Sequence, residues 1–324
     1  MTLVVCPNLA VDRVLRLERL SAGDMLRAQC LQQQAGGKGA NVIRSLRALG
    51  GAGLLLGFAG GHTGRLIAEL ADEEDIEFEF VMLGGEARIC TVFLEGDGRR
   101  TDVFEYGPTI EAVDERALVE AVHALPAAAG EWAVLNGSAP PGAAPGFYAA
   151  LVVALRRSRY RVLLDAAGEQ LRGALAERPD LVKINAAEAA GAVGGPGGSD
   201  DAEARHPAAA GTLESAQQAC RQLVDLGAQA AVVTRGAEGA AGMAGGVLFS
   251  VSTPPVQAIN AVGSGDCFAG GLIVGLEQGM DMPAAAPLAA AAGAANATTA
   301  GTAEVDPGLA HQLAAAAAVR TSAA

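Results

Sequence analysis

The chain has 324 residues, half of them apolar, with many alanines and glycines, few aromatics and a formal net charge of −13. That length exceeds one minimal domain and suits one large α/β domain with an accessory piece and a large core. The negative charge argues against a nucleic-acid binder, which needs a basic surface, and leaves any anionic ligand to a local basic pocket.

Leu3-Val4-Val5-Cys6 is a short apolar run closed by Pro7-Asn8, the pattern of a buried strand feeding a loop. From Asp12 to Arg27, charges mix with Val14, Leu15, Leu17 and Leu20, which predicts exposed, one-sided strands. Val42, Ile43, Leu46 and Leu49 recur at helical spacing over Asn41 to Leu49, and Gly50-Gly51 ends that helix. Leu54 to Phe58 predicts a second buried strand, and Thr63 to Asp75 a helix. Glu77 to Leu83, Ile89 to Glu95 and Thr101 to Glu105 alternate between glycine breaks and predict a partly exposed antiparallel sheet.

From about Asp114 the rhythm changes. Helical stretches alternate with the apolar runs Trp132 to Leu135, Val162 to Leu164, Leu181 to Ile184 and Ala230 to Thr234. Strands separated by helices imply parallel βαβ units with right-handed crossovers. Gly191 to Thr212 is polar and rich in glycine, proline and acid, which predicts a mobile surface loop. Val256 to Ile259 reads as strand-like, Phe268 onward as alanine-rich helix, and Ala310 to Ala324 as helix tapering to a frayed tail.

Five cysteines occur, an odd number without C-x-x-C spacing, and the four histidines are scattered. Free thiols in a reducing compartment are expected, and a His-based metal site has little support. The N-terminus carries no secretory signal, and no apolar run reaches the ~20 residues of a bilayer span. The expected location is cytoplasmic, with no membrane partner.

Two glycine-rich runs can carry chemistry. Ala35-Gly36-Gly37-Lys38-Gly39-Ala40-Asn41 stands before a helical pattern, where glycines admit a ligand close to the backbone and helix-start amides favour anions or hydroxyls. Lys38 and Asn41 are three apart and share a face if the helix begins there. The nucleotide P-loop pattern is absent, and a plain turn with a helix cap fits the same residues. The second run is Asn260-Ala261-Val262-Gly263-Ser264-Gly265-Asp266, followed by a small-residue helix. Amides at that helix start favour an anion, and a carboxylate beside them can take a proton from an attacking hydroxyl. Phosphoryl transfer needs both. An Asp cap after a glycine turn is compatible with that role.

The pair G-G-K-G-A-N and V-G-S-G-D resembles the two signatures of the PfkB/ribokinase family of carbohydrate kinases. Asn185-Ala186-Ala187-Glu188 resembles the family's N-x-x-E element, and Thr234-Arg235-Gly236-Ala237-Glu238-Gly239 its nucleotide loop. The resemblance implies a ribokinase-like α/β fold. That fold is a doubly wound, mostly parallel sheet flanked by helices, with a small β-sheet lid built from about residues 10–30 and 78–107. It implies Asp266 as general base and the amides of Gly263, Ser264 and Gly265 as an anion hole for the γ-phosphate of ATP. It places Asn185 and Glu188 around Mg²⁺, hard oxygen ligands for a hard cation. Lys183, Asn185, Thr234, Gly236, Gly239 and Asn296 fall on the nucleotide side, and Asp12, Gly36, Gly37 and Asn41 on the sugar side.

Within the family, Pro7-Asn8-Leu9-Ala10-Val11-Asp12 and the G-G-K-G-A-N variant resemble the branch of 1-phosphofructokinase and tagatose-6-phosphate kinase. That branch acts on sugars already carrying a phosphate, so fructose 1-phosphate is the first expected acceptor. Arg27, Lys38 and Arg88 are the candidate phosphate-holding cations, since each can make charge-assisted hydrogen bonds. Ser138 matches a loop that contacts the sugar phosphate. Arg99 and Arg100 follow a predicted hairpin tip, where exposure is expected. Asn260 and Ser264 depart from the usual Asp and Ala of the C-terminal signature. Three readings stay open beside fructose 1-phosphate: a kinase of fructose 6-phosphate or tagatose 6-phosphate, a kinase of an unphosphorylated sugar or nucleoside, and a non-catalytic sugar-phosphate sensor. A homodimer through the lids is expected.

Overall fold

Strands in the middle of this chain read as continuous apolar runs because both of their faces are buried, and a period of two then sends alternate residues into two separate cores. A computed structural model describes residues 1–126, 130–193 and 211–323. In chain order the first half holds β1 (Thr2–Cys6), β2 (Ala10–Leu17), β3 (Gln29–Gly36), α1 (Lys38–Ala48), β4 (Gly53–Gly60), α2 (Gly61–Glu73), β5 (Glu77–Leu83), β6 (Arg88–Glu95), β7 (Arg100–Phe104) and α3 (Ala112–Ala124). Next come β8 (Trp132–Asn136), α4 (Phe147–Arg157), β9 (Arg161–Asp165), α5 (Gly168–Leu175), β10 (Leu181–Asn185) and α6 (Ala186–Val193). The remainder is α7 (Leu213–Asp225), β11 (Ala230–Thr234), β12 (Ala240–Ala244), β13 (Val247–Val251), α8 (Ser264–Glu277), α9 (Met282–Ala297), α10 (Pro307–Ala316) and β14 (Val319–Ala323).

The main sheet has ten strands in the order β14-β13-β12-β11-β10-β9-β8-β1-β4-β5. The seven strands from β11 to β5 run parallel, and the β12-β13-β14 flank is antiparallel. Val4, Val134, Leu163, Leu181 and Val232 face one core, closed by α1, α2, α8 and α9. Their neighbours Leu3, Leu135, Leu164, Val182 and Val233 face the other core, closed by α3 to α7. Abundant alanine and glycine let α8 and α9 approach closely: a Cβ at Gly275 would fall 2.6 Å from the Ala285 Cβ. A second sheet, β3-β2-β6-β7, lies over the carboxyl ends of the main strands.

Several expectations change. Glu77–Leu83 joins the edge of the main sheet, parallel to β4 through the α2 crossover, and is not part of the small sheet. Its alternation comes from its edge position: Phe78 and Phe80 pack on one core, whereas on the other face only Val81 and Leu83 reach the second core and Glu77 and Glu79 stay exposed. The small sheet gains Gln29–Gly36 instead, and β2 pairs with β6 in parallel, because no hairpin connects them. The helix expected from Asn41 begins at Lys38. Val256 to Ile259 is irregular, not strand. The C-terminal segment is helix only to Ala316, and Val319–Ala323 then pairs with β13, so a sheet edge satisfies the backbone of the expected frayed tail. Most of the loop expected over 191–212 lies outside the described residues, while Gly191 falls in α6 and Thr212 caps α7. All five cysteines are free. Among the described residues, no helix is long and apolar enough to cross a membrane.

Candidate active site

A cavity of about 290 Å³ lies between the two sheets, at the carboxyl ends of β9, β10 and β11. Ligands of open α/β sheets bind at such strand ends. One wall is the start of α8. Gly263 caps that helix in the left-handed region, with φ 80°, and the Ala303 amide sits 3.0 Å from where its Cβ would stand, so only glycine fits without strain. The turn carries Asp266 into the cavity wall, where it is 7% exposed and accepts a hydrogen bond from Asn41 Nδ2 at 2.9 Å. Burial pushes its carboxyl up to about 7, with Asp165 reinforcing the rise and Lys38 and Lys183 opposing it. A carboxylate that titrates near neutrality is matched to general-base work. Gly263 and Gly265 also line the cavity. Ser264 does not: its amide donates to Ala261 O at 3.2 Å, and its hydroxyl accepts from Asn296 Nδ2.

Asn260 explains itself in the same turn. Its side-chain amide donates to Ala300 O and Gly301 O, and its Oδ1 accepts from the Val262 amide. A carboxylate cannot donate either of the first two bonds. The amide therefore stitches the loop after α9 to the turn before α8.

On the opposite wall, α1 begins at Lys38, and Lys38 and Asn41 both line the cavity. Gly36 supports Asp12 by close approach, since a Cβ there would stand 2.4 Å from the Asp12 carboxyl. Burial raises the Asp12 carboxyl, against the lowering pull of Arg44 and Arg88. Arg88 is buried, and its Nε and Nη2 donate to Asn8 O at 3.2 and 3.0 Å.

Asp165 ends β9 and Lys183 lies in β10. They pair at 2.5 Å with both side chains buried. Burial pushes the Asp165 carboxyl up, but Lys183 and Lys38 outweigh it and hold the group below the usual range. Lys38 Nζ lies 3.8 Å from Asp165 and 3.6 Å from Glu188. Asn185 and Glu188 cap each other at the start of α6, each side chain accepting from the other's amide at 2.8 and 2.9 Å. That is a capping-box arrangement, and it leaves Glu188 Oε1 facing Lys38. Thr234 closes this side at the end of β11.

Asp12, Gly37, Lys38, Asn41, Arg88, Lys183, Asn185, Glu188, Thr234, Gly263, Gly265 and Asp266 thus come together on one cavity. Gly36, Ser138, Gly236, Gly239, Ser264 and Asn296 stand behind it or beside it. Ser138 accepts from Asn8 Nδ2 at 3.2 Å, and Gly236 and Gly239 form the turn after Thr234. Arg27 is not brought to the cavity; it is exposed in the segment between β2 and β3. Arg100, expected at an exposed tip, lines the cavity beside its ion-pair partner Asp102. Sequence reasoning also passed over Asp165 and Asp102. Asp165 left a readable signal: Val162-Leu163-Leu164 is a buried run whose last strand residue is an acid, at the end where ligands bind.

Comparison with known proteins agrees with this geometry. Residues 1–308 match the pfkB family of carbohydrate kinases. Phosphofructokinase-2 from Escherichia coli, solved in complex with potassium, superimposes with a TM-score of 0.86 at 25% identity, over 97% of this chain and 98% of that one. A possible 1-phosphofructokinase from Thermotoga maritima gives 0.81 at 20% identity, over 99% of each chain. Ribokinase from Arabidopsis thaliana, complexed with ribose and ATP, gives 0.72 at 23% identity, over 96% of this chain and 98% of that one. The last two likenesses speak for the fold.

Proposed function

Because the chain belongs to the pfkB family of carbohydrate kinases, we propose that it transfers the γ-phosphoryl group of ATP to a free hydroxyl of a phosphorylated ketohexose. Fructose 1-phosphate is the first acceptor, giving fructose 1,6-bisphosphate. The observation that carries this reading is Arg88. It is buried at the cavity wall, and its orientation is fixed by the bonds from Nε and Nη2 to Asn8 O. A buried guanidinium held in this way is suited to an anionic group on the acceptor.

Asp266 takes the proton of the acceptor hydroxyl as that oxygen bonds to the γ-phosphorus and the bridging oxygen leaves with ADP. The start of α8 offers amides and a positive dipole end to the transferring group. Lys38 and Lys183 add positive charge beside it. A hydrated Mg²⁺ fits the carboxylates of Asp165 and Glu188, because Asp165 Oδ1 is buried without a hydrogen bond and both groups are hard oxygen donors. Asn185 is less suited to bind it directly, since its Oδ1 accepts the Glu188 amide. Bound there, Mg²⁺ would neutralise charge on the β- and γ-phosphates.

One observation favours an unphosphorylated acceptor instead: Arg27, the second expected phosphate cation, is exposed and away from the cavity. An ATP-consumption assay over fructose 1-phosphate, fructose 6-phosphate, tagatose 6-phosphate, ribose and a nucleoside decides, ranked by kcat/KM. Preference for a phosphosugar by tenfold or more is expected. A higher kcat/KM for an unphosphorylated acceptor overturns the substrate class, and no turnover on any acceptor favours a sugar-phosphate sensor. We also infer a homodimer through the small sheets, where Val103, on the strand face opposite the cavity-lining Arg100, Asp102 and Phe104, is exposed. A monomeric mass in light scattering at micromolar concentration would remove it.

A further inference from the structure

Asn41 stands between a guanidinium, which can only donate, and a carboxyl that only accepts once it is ionised. Arg44 Nη1 donates to Asn41 Oδ1 at 3.0 Å, and Asn41 Nδ2 donates to Asp266 Oδ2 at 2.9 Å. A guanidinium has only donors, and an ionised carboxylate has only acceptors. The amide therefore has one satisfactory orientation. A flip would set its NH₂ against the guanidinium and its carbonyl against the carboxylate.

Arg44 is itself held on two further sides. Its Nε and Nη2 donate to Glu74 at 2.5 and 2.9 Å, the bidentate geometry of a carboxylate fork. Nη2 also donates to Ala35 O, and Glu74 Oε1 accepts the Ala35 amide at 3.1 Å. The clamp joins the residue after α2, the end of β3 and the middle of α1. It also pins the residue just before the Gly36-Gly37 pair. Three and four residues bring Asn41 and Arg44, and the rest of this face of α1, into register.

We propose that Arg44, locked by Glu74, is a positioning residue that fixes the amide of Asn41 and thereby dedicates Asp266 Oδ2 to that bond, leaving Oδ1 to receive the acceptor's proton. The proposal rests on the reading of Asp266 as general base. It accounts for an expensive arrangement, a largely buried ion pair that does not itself line the cavity and reaches it only through Asn41. A base whose two oxygens are distinguished is already oriented before the acceptor arrives.

The test is a double-mutant cycle. Arg44→Met is expected to lower kcat about 10-fold to 100-fold, the scale of a misplaced reacting group, with KM for ATP unchanged. In an Asn41→Ala background the same substitution should change kcat by less than about twofold, because the relay is already broken. Losses that multiply independently in the two backgrounds overturn the proposal and leave Arg44 as a brace between helices. If Arg44→Met does not fold, Glu74→Gln and Arg44→Lys serve, since each keeps a polar side chain while loosening the fork; a kcat equal to wild type in both overturns it. A second readout does not need turnover. The Asn41 side-chain amide, identified in ¹⁵N spectra by its absence from Asn41→Ala, should keep one slowly exchanging proton in the wild type and lose it in the Arg44 variant. If the wild type phosphorylates no acceptor, the proposed function falls while the amide spectrum still decides this inference; an amide unaffected by loss of Arg44 overturns it.

Discussion

In the ten-stranded sheet β8 is buried along its whole length, whereas in the small sheet β7 exposes three of its five residues. The contrast follows from layering. Helices cover both faces of the central strands of the first sheet, so those strands are almost wholly apolar and their ends are anchored in the core. The small sheet turns Arg88, Cys90, Val92 and Asp102 to the cavity, and much of its outer face is open. Under the proposed function, the catalytic groups are those on the large sheet's carboxyl edge and on helix starts anchored in its core, and the acceptor-reading groups are largely those on the sheet with less packing behind it. That reading assigns stability and chemistry to one body and acceptor choice to the other.

The largest effect expected from that division is at Asp266. Asp266→Asn should lower kcat by about 10²–10⁴-fold, the usual range for a general base, with KM for the sugar changed little. Near-wild-type turnover would take the chemistry off the large sheet. The wild-type kcat/KM should rise with pH through about 7 as the carboxyl ionises. Stability runs the other way. The folded state holds this proton to about 7, whereas the unfolded carboxyl loses it near its ordinary value of 3.8. The folded state thus binds more protons in between, and this group's contribution falls as pH rises through that window. Asp266→Asn should accordingly raise the thermal midpoint more at pH 8 than at pH 5; the reverse ordering would show that Asp266 ionises easily in the fold.

Next come the two bodies' contributions to stability and binding. Trp132→Ala, at a fully buried position of β8, should cost about 3–5 kcal/mol in denaturant unfolding. Phe104→Ala, on a 45%-exposed residue of β7, should cost much less. Equal losses would mean that the small sheet is as tightly integrated as the core. Arg88→Ala should raise KM for a phosphosugar about 10-fold to 100-fold, the value of charge-assisted bonds of about 1.5–3 kcal/mol, while kcat stays close to wild type. An unchanged KM would remove Arg88 from phosphate binding.

The same division decided what could be read from residues alone. The parallel strands of the second half were legible because a strand buried on both faces leaves an unbroken apolar run between turn signals. Glu77–Leu83 was misplaced because an edge strand of the large sheet alternates just as a small-sheet strand does. The edge strand Val319–Ala323 was missed because its exposed residues leave almost no hydrophobic pattern. In the site, Lys38, Asn41, Asp266 and the Asn185–Glu188 pair were legible through local motifs. Asp165 and Arg100 were not, because each is a single residue in an ordinary strand whose meaning depends on what lies across the cavity. Arg27 failed for the converse reason: a cation close in sequence to the small sheet need not face inward.

The smallest effect expected is at the junction of the two bodies, and it is the most discriminating. Gln34 Nε2 donates to Thr302 O at 3.0 Å, and Gln32 Oε1 accepts from the Thr302 amide at 2.9 Å. Thr302 adjoins Ala303, whose amide abuts Gly263 at the start of α8. The small sheet is thus fastened to the loop that backs the Gly263–Asp266 turn. Gln34→Leu removes one buried donor and leaves Thr302 O without it, a loss of about 1 kcal/mol or roughly fivefold. If the bodies divide labour as their burial implies, that fivefold should fall on KM for the acceptor, with kcat within about twofold. A loss of the same size in kcat would place the effect on α8 instead, because the turn that holds Asp266 would then depend on the small sheet for its shape.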